Sequence, residues 1–204
     1  MLPRLYAILD ASCFPDDAAL FAYARELASA GVTLVQYRNK QGSARQMLSH
    51  ARELRRVFTS PAILIMNDRA DLCLAADCDG VHLGQDDLSA EGARSLLGLK
   101  RWIGISAHNV EQVRAADQTG ADYIAIGPVF STSSKANPDP LVGLEGVQAA
   151  RQHTRKPLVA IGGIKRENCR DVIQAGADSV AIIADLLKDP RRAAQEYLKI
   201  LSQV

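Results

Sequence analysis

Residues 81–87 read Val-His-Leu-Gly-Gln-Asp-Asp, a short apolar run that ends in an amide and two carboxylates. A strand that is buried in a parallel sheet is typically such a short apolar run. The same order recurs along the chain, where apolar runs are followed by polar side chains or glycines at 34–40, 63–69, 103–108, 124–135 and 159–163. Polar groups that cluster only at the carboxyl ends of parallel strands meet at one mouth of an α/β barrel, where such folds carry their chemistry.

Strand and helix patterns alternate eight times. The strands are predicted at 5–9, 34–37, 62–66, 80–83, 102–105, 123–126, 158–161 and 179–183. The helices are predicted near 16–30, 44–58, 70–76, 89–97, 110–119, 144–153, 166–175 and 190–201. This alternation is typical of βαβ units with a parallel sheet. An open doubly wound sheet would alternate in the same way. Eight units in 204 residues favour a closed (β/α)₈ TIM barrel instead, because a closed barrel leaves no strand edge. The chain is therefore predicted to be a single catalytic domain over residues 1–204.

Local signals indicate where elements end. Gly-Ala-Asp occurs at 120–122 and again at 176–178, each time before an apolar strand, which is consistent with two βαβ units per stretch. Ser89 precedes Glu91 at the fourth helix and is predicted to be its cap. The longest irregular stretch is 131–140, and a long loop in so compact a chain is usually functional.

Composition bounds the class of protein. Apolar residues make up 48% and charged residues 23%, as in ordinary globular proteins, and the net charge of +1 gives no reason to expect nucleic-acid or membrane partners. Cys13, Cys73, Cys78 and Cys169 form no C-x-x-C pair, so buried free thiols and a reducing cytoplasm are expected. No signal-peptide pattern follows Met1 and no apolar run approaches a membrane span, so the expected location is cytoplasmic.

The end of the second predicted strand carries polar side chains in alternation. Because successive residues of a strand point to opposite faces, Gln36, Arg38 and Lys40 share one face, while Tyr37 and Asn39 share the other. An arginine fork and a lysine charge both suit phosphate oxygens. A solvated strand end is the alternative, but polar side chains that step along an inward face favour a site at the mouth of the barrel.

Carboxylates follow the third and fourth predicted strands, in Asn67-Asp68 and Asp86-Asp87. Two carboxylates from neighbouring strand ends suit Mg²⁺, which takes few protein ligands and completes its shell with water and substrate phosphates. Helix capping is the commoner role for a single aspartate at such a place, and both Asp68 and Asp87 precede predicted helices. Their pairing on adjacent strands favours the metal site.

Two later segments have the composition of anion-binding loops. Thr132-Ser133-Ser134-Lys135 offers hydroxyls and a lysine, which suit phosphate, although loops rich in serine and threonine are common. Gly162-Gly163 follows the seventh strand, where backbone amides approach an anion and where barrels often bind phosphate. A tight turn alone is an equally good interpretation of these glycines.

The four histidines are predicted to differ in role. His82 lies within the fourth strand and is predicted to be a packed or hydrogen-bonded core residue rather than a catalyst. His108 follows Ser106 at a strand end and is a candidate for substrate contact. His50 and His153 fall on predicted helices and are expected at the surface.

Taken together, these segments resemble the thiamine phosphate synthase family over nearly the whole chain. The matching segments, in the family's order and spacing, are Gln36-Tyr37-Arg38-Asn39-Lys40, Asn67-Asp68-Arg69, residues 80–88, Gly127-Pro128-Val129-Phe130 with 132–135, and Ala160-Ile161-Gly162-Gly163-Ile164. The resemblance implies a small (β/α)₈ barrel that joins hydroxymethylpyrimidine diphosphate to thiazole phosphate, giving thiamine phosphate and diphosphate, with Mg²⁺ as the cofactor.

The resemblance also implies a role for each matching residue. The pyrimidine diphosphate is expected to contact Gln36, Tyr37, Arg38, Asn39, Lys40, Asn67, Ser106 and Lys135. The thiazole phosphate is expected at Thr132, Ser133, Ser134, Gly163, Ile183 and Ala184, and Mg²⁺ at Asp68 and Asp87. The implied catalytic residues are Arg38, Lys40, Ser106 and Lys135. Their task is to stabilise the departing diphosphate, which leaves a pyrimidine-stabilised cation for the thiazole nitrogen to capture.

Two positions depart from the family's usual pattern. Ser134 stands at the second threonine of Thr-x-Thr-Lys and keeps a hydroxyl, whereas Ala184 replaces a serine that usually follows the eighth strand. Two other functions stay open: a thiazole tautomerase, which moves a proton and cleaves no diphosphate, and a non-catalytic phosphate-binding regulator. Retention of both carboxylates, Arg38 and Lys135 speaks against the tautomerase, and the carboxylates speak against the regulator. Small-molecule substrates are the expected partners, and a homo-oligomer stays open.

Overall fold

Eight parallel strands close into a barrel in the computed structural model of the chain, which describes residues 2–132 and 140–204. Neighbouring strands pair in chain order, and β8 pairs with β1. The strands are β1 Leu5–Asp10, β2 Leu34–Arg38, β3 Ile63–Asn67, β4 Gly80–Leu83, β5 Trp102–Ala107, β6 Tyr123–Ile126, β7 Leu158–Ile161 and β8 Ser179–Ile182. The predicted (β/α)₈ TIM barrel is therefore confirmed.

A helix follows each strand along the chain. The helices are α1 Asp17–Ser29, α2 Ala44–Val57, α3 Ala70–Ala75, α4 Ala90–Leu97, α5 Val110–Asp117, α6 Gly143–His153, α7 Cys169–Gln174 and α8 Pro190–Leu201, with short 3₁₀ helices at Ala11–Cys13 and Ala184–Leu186. The predicted bounds lie close to these, except that α7 begins at Cys169 rather than near Arg166. Among the helices of the described residues, none combines the length and apolar character needed to cross a membrane.

The barrel interior forms its own apolar cluster, separate from the layer beneath the helices. Its buried members are Leu2, Tyr6, Ile8, Leu34, Ile65, Tyr123, Ala125, Val159 and Ala181. Two tyrosines fill the middle of the barrel, whereas Ala125 and Ala181 stand nearer the carboxyl ends of β6 and β8. The tyrosines fill the interior nearer the amino ends of the strands, whereas the small alanine side chains leave space nearer the carboxyl ends. The barrel is therefore open at the carboxyl ends of its strands.

The amino ends of three strands carry a repeated clamp. An aspartate before β4, β6 and β8 accepts hydrogen bonds from a backbone amide near the start of the preceding strand and from an arginine on the helix that leads into that strand. The sets are Asp79 with the Leu64 amide and Arg55, Asp122 with the Ile103 amide and Arg94, and Asp178 with the Leu158 amide and Arg151. The two Gly-Ala-Asp repeats of the sequence supply the second and third clamps, which tie helices to the sheet at the end away from the mouth.

Two expectations about burial are wrong. His50 is buried rather than at the surface, because it lies on the face of α2 that packs inward. Its Nδ1 lies 2.8 Å from the Tyr37 hydroxyl oxygen, and its Nε2 lies 2.9 Å from the Asp17 carboxylate. Cys13 is exposed on the 3₁₀ helix after β1, while the other three cysteines are buried and all four are free thiols.

Candidate active site

A cavity of about 580 Å³ opens at the carboxyl ends of the strands. Its polar side is built on β2 to β5 and the residues that follow them: Gln36, Arg38, Lys40, Asn67, Asp68, Asp87, Ser106 and His108. Its apolar side is built on β1 and β6 to β8, with Ile8, Ala125, Val159, Ile161, Ala181 and Ile183. A ligand that matches both sides has an apolar ring and a charged end.

The faces of β2 separate the predicted binding residues into two groups. Gln36, Arg38 and Lys40 line the cavity, as the alternation predicts. Tyr37 points the other way, toward α2, and the Asn39 amide nitrogen donates to its hydroxyl at 3.1 Å. Burial raises the pKa of Tyr37 to about 12. Tyr37 and Asn39, both expected at the pyrimidine diphosphate, therefore lie behind the strand and support it from outside the cavity.

Arg38 is positioned by a carboxylate that sequence reasoning missed. Its guanidinium donates to Asp10, which is 5% exposed and also accepts from the Ser12 amide at 3.0 Å and hydroxyl at 2.7 Å. A signal was present in β1, because Tyr6 and Ile8 line the cavity and the alternation of the strand places Asp10 on the same face. Asp10 fixes the Arg38 fork at the rim of the cavity.

Neither Asp68 nor Asp87 caps a helix. Arg69, not Asp68, stands at the cap position of α3, and no side chain caps that helix. Ser89 caps α4, as predicted, by accepting from the Gly92 amide. The Asp87 carboxylate instead accepts from the Gly84 amide at 2.7 Å, within the turn after β4.

Asp68 has a backbone φ of +61°, which is uncommon for a residue other than glycine. Such conformations cost free energy and cluster at functional sites.

The two carboxyl groups crowd each other. Burial raises the pKa of Asp68, and the neighbouring Asp87 carboxyl raises it as well, against the lowering effect of Lys40, whose Nζ donates to Asp68. Within residues 2–132 and 140–204, no group of three or more His, Cys, Asp or Glu side chains is placed to hold a metal ion. A crowded pair of carboxylates nevertheless fits Mg²⁺, which takes one or two carboxylates and completes its shell with water and phosphate oxygens.

A line of buried hydrogen bonds crosses the floor of the cavity. The Gln36 amide nitrogen donates to the Tyr6 hydroxyl at 2.8 Å, and the Tyr6 and Tyr123 hydroxyl oxygens are 2.9 Å apart. The Tyr123 hydroxyl lies 3.0 Å from His82 Nδ1, and His82 Nε2 lies 2.9 Å from Ser106 Oγ. His82 is thus a buried, hydrogen-bonded residue, as predicted, and it also supports Ser106, which lines the cavity.

Two further polar side chains of the predicted set lie at the cavity. The Asn67 amide nitrogen is buried and has no hydrogen-bond partner among the described residues, so a ligand acceptor would satisfy it. His108 also lines the cavity, and its Nδ1 lies 2.9 Å from the Gly127 carbonyl oxygen.

The Gly162-Gly163 turn closes the opposite side. Both glycines have positive φ, +101° and +63°. A Cβ on Gly162 would stand 2.6 Å from Pro128 Cβ, and one on Gly163 would stand 2.4 Å from the Ser131 carbonyl oxygen. The turn therefore requires glycine for its backbone conformation and for its close approach to the segment after β6, and both residues line the cavity.

The remaining residues expected at the thiazole phosphate fall in two places. Thr132, Ile183 and Ala184 line the same cavity as the glycine turn. Ser133, Ser134 and Lys135 lie outside the described residues.

Comparisons with known proteins point to one family. Residues 5–186 match the family model described as thiamine monophosphate synthase. The thiamine-phosphate synthase of Koribacter versatilis is 62% identical over 203 residues, which are 98% of this chain and 96% of that protein. The chain belongs to the thiamine monophosphate synthase family. A second relative, the thiamine-phosphate synthase of Chloroflexus aurantiacus, is 42% identical over 98% of this chain and 93% of its own length.

A solved structure shares the whole architecture. Thiamine phosphate pyrophosphorylase from Pyrococcus furiosus superposes with a TM-score of 0.88 at 33% identity, covering 98% of this chain and 96% of that one. These matches confirm the predicted family and the predicted enzyme class, a transferase.

Proposed function

We propose that this chain joins hydroxymethylpyrimidine diphosphate to thiazole phosphate, giving thiamine phosphate and diphosphate, with Mg²⁺ held by Asp68 and Asp87. The observation that carries the proposal is one cavity in which two cationic side chains, two crowded carboxylates, an apolar wall and a glycine turn meet. Family membership supports the same reaction, since the matched relatives are named for it.

The polar side suits the diphosphate. Arg38 and Lys40 are both held by carboxylates, Arg38 by Asp10 and Lys40 by Asp68, so their charges are already in place before a ligand arrives. Cations fixed in advance stabilise charge that develops on a leaving group without the cost of reorganising solvent. The buried Asn67 amide offers a further donor, and Lys135 would add a third charge.

The carboxylate pair suits the metal. Asp68 and Asp87 would be the protein ligands, and substrate phosphate oxygens and water would complete the shell. When bound, Mg²⁺ would supply positive charge to the departing diphosphate.

The apolar side suits the pyrimidine ring. Ala125 and Ala181 leave room beside Val159, so a flat heterocycle could rest against β6 to β8 with its methylene carbon toward the polar side. The carbon–oxygen bond to the diphosphate breaks with its electron pair leaving on oxygen, and the thiazole nitrogen then forms the new carbon–nitrogen bond. No protein nucleophile is needed, and the described residues that line the cavity include no cysteine.

The glycine turn suits the thiazole phosphate. Gly162 and Gly163 allow a backbone conformation in which amides approach an anion, and Ile183 and Ala184 lie on the same side of the cavity. Ser133 and Ser134 would assist with hydroxyl groups. Diphosphate and thiazole phosphate then occupy opposite sides, with the ring between them.

The test is product formation by the purified chain. With both substrates and Mg²⁺, thiamine phosphate and diphosphate should appear in equal amounts, and omission of either substrate should abolish both. Thiazole phosphate that changes without release of diphosphate would instead identify a tautomerase. Tight binding of the substrates without turnover would identify a regulator.

A further inference from the structure

We propose that the line Gln36–Tyr6–Tyr123–His82–Ser106 is a one-directional hydrogen-bond relay that fixes the Ser106 hydroxyl as a donor toward the cavity. In this role Tyr123 is a positioning residue, which acts on the ligand only through Ser106, whereas Gln36, Tyr6 and His82 also line the cavity. The kinetic part of this inference rests on the proposed function, and the structural part does not.

The direction of the relay follows from its first bond. Gln36 presents its amide nitrogen, which has only hydrogens to give, so the Tyr6 oxygen accepts at 2.8 Å. Among the described residues the Tyr6 hydroxyl has two recorded partners, Gln36 and Tyr123, and Gln36 is the donor to it. The single Tyr6 hydrogen therefore goes to the Tyr123 oxygen at 2.9 Å, and Tyr123 gives its own to His82 Nδ1 at 3.0 Å.

The last bond reaches the serine. With Nδ1 accepting, a neutral His82 carries its hydrogen on Nε2 and donates it to Ser106 Oγ at 2.9 Å. The Ser106 hydroxyl hydrogen then points away from His82. Among the described residues the structure records no acceptor for that hydrogen, and Ser106 lines the cavity. A ligand oxygen, such as one of the diphosphate, is the acceptor that completes the relay.

Four members of the relay are buried. Tyr6, Gln36 and Tyr123 are each at most 3% exposed and His82 is 8% exposed, so water does not interrupt the line. Burial also raises the pKa values of both tyrosines, so each phenol keeps the hydrogen that it must pass on.

The relay decides between two roles for Ser106. A serine oxygen 2.9 Å from an imidazole nitrogen is also the arrangement of an activated nucleophile and its base. That role needs Nε2 without a hydrogen, which would require Tyr123 to accept from Nδ1 and Gln36 to present its oxygen. The orientation of the Gln36 amide therefore makes Ser106 a hydrogen-bond donor rather than a nucleophile.

The rings are locked in place, so the hydroxyl groups can be removed alone. Gly104 makes room for Tyr123, because a Cβ there would stand 2.0 Å from Tyr123 Cζ. The His82 ring stacks on Tyr123 at a centroid distance of 5.5 Å, and the Tyr6 ring meets Tyr123 edge-on at 6.1 Å. Tyr123→Phe keeps these contacts and deletes both of its hydrogen bonds in the relay.

The first experiment reads the histidine tautomer by ¹⁵N NMR of the ligand-free protein near neutral pH, with the His82 signals identified by their loss in His82→Gln. The neutral Nε2–H form is expected. The Nδ1–H form, or a doubly protonated ring, would overturn the inference. Gln36→Glu replaces the donor by an acceptor and should convert His82 to the Nδ1–H form; an unchanged tautomer would show that Gln36 does not set the direction.

The second experiment measures binding of inorganic diphosphate with Mg²⁺ by calorimetry. Loss of a neutral hydrogen bond in Tyr123→Phe should weaken binding about 3- to 10-fold. The same change should have no further effect in a Ser106→Ala background, because Tyr123 acts through Ser106. Equal losses in both backgrounds would overturn the inference. Tyr23→Phe, a buried tyrosine on α1 outside the relay, is the matched control and should bind as the wild type does.

Steady-state kinetics distinguish a loss of positioning from a general loss of structure. Tyr123→Phe should lower kcat while the KM for thiazole phosphate stays unchanged, whereas a general loss of structure would move both. If the wild-type chain forms no thiamine phosphate, the proposed function fails, and the tautomer measurement still decides the relay.

Discussion

Two groups of aspartates lie at opposite ends of this barrel, and their surroundings differ. At the amino ends of the strands, Asp79, Asp122 and Asp178 each accept from an arginine and from a strand amide, so every carboxylate is paired. At the carboxyl ends, Asp68 and Asp87 crowd each other in a cavity, and Asp68 has a positive φ.

We expect the aspartates at the amino ends of the strands to stabilise the fold, and Asp68 and Asp87 to serve the function of the cavity. The paired carboxylates tie helices to the sheet and satisfy backbone groups that would otherwise lose hydrogen bonds. Burial and the neighbouring Asp87 carboxyl raise the pKa of Asp68, and Asp68 has a strained backbone conformation. Such an arrangement is expected at a functional site, where a bound cation would offset the repulsion between the two carboxylates.

The largest effect is expected at the mouth. Asp68→Asn and Asp87→Asn should each reduce kcat about 10²-fold or more, on the scale of losing a group that stabilises transition-state charge. The melting temperature should not fall in Asp68→Asn, because asparagine tolerates a positive φ and the like charge of Asp87 loses its neighbour. Thermal denaturation beside steady-state rates gives both quantities. Full activity in both variants would rule out the metal assignment.

A smaller loss of activity is expected from a charge at the rim. The Lys40 side chain is 50% exposed, so Lys40→Met should leave the unfolding midpoint unchanged. Loss of one cation near the diphosphate should lower kcat and kcat/KM together by about 10- to 100-fold. Lys100→Met is the control, because Lys100 is exposed before β5 at the other end of the barrel. Similar losses in the two variants would show that bulk charge, not position, matters.

A substitution in one of the clamps should lower the stability of the fold without lowering kcat. Asp122→Ala leaves the Ile103 amide and Arg94 without their acceptor, which should cost about 1–3 kcal/mol of unfolding free energy. For a chain of this size that corresponds to a fall of roughly 2–4 °C in Tm per kcal/mol. Urea titration measures the first quantity, and kcat per folded molecule should stay at the wild-type value. A loss of kcat without a change in stability would break the division between the two ends.

The smallest effect is expected at the eighth strand. Ala184→Ser restores the hydroxyl that the family usually has, beside an intact glycine turn. If backbone amides near Gly163 and Ile183 already hold the thiazole phosphate, its KM should fall less than about 10-fold, the lower limit for a full hydrogen bond to a charged group. A larger gain, with the KM for pyrimidine diphosphate unchanged, would show that the amides alone do not fill the site.

Local sequence patterns were enough to predict the strands and helices, and to predict which residues of β2 face the cavity. Apolar runs with glycine punctuation located all eight strands, and alternation placed Gln36, Arg38 and Lys40 in the cavity. The family resemblance had grouped Tyr37 and Asn39 with them, but the pleat of the strand places these two toward α2.

Partners that are distant in sequence escaped prediction. Asp10 meets Arg38 across 28 residues, and Tyr6 meets Tyr123 across 117, contacts that only the closed barrel creates. His50 was misplaced because helix position alone does not tell which face packs inward. The cytoplasmic location and the absence of nucleic-acid partners stay predictions.

The most direct measurement is the initial rate of thiamine phosphate formation as a function of Mg²⁺ concentration, normalised to folded protein, for the wild type, Asp87→Asn and Asp122→Ala. We expect Asp122→Ala to follow the wild-type curve, whereas Asp87→Asn should need far more Mg²⁺ and stay about 10²-fold slower where Mg²⁺ limits the rate. An Asp87→Asn curve that matches the wild type where Mg²⁺ limits the rate would show that Asp87 does not bind the metal.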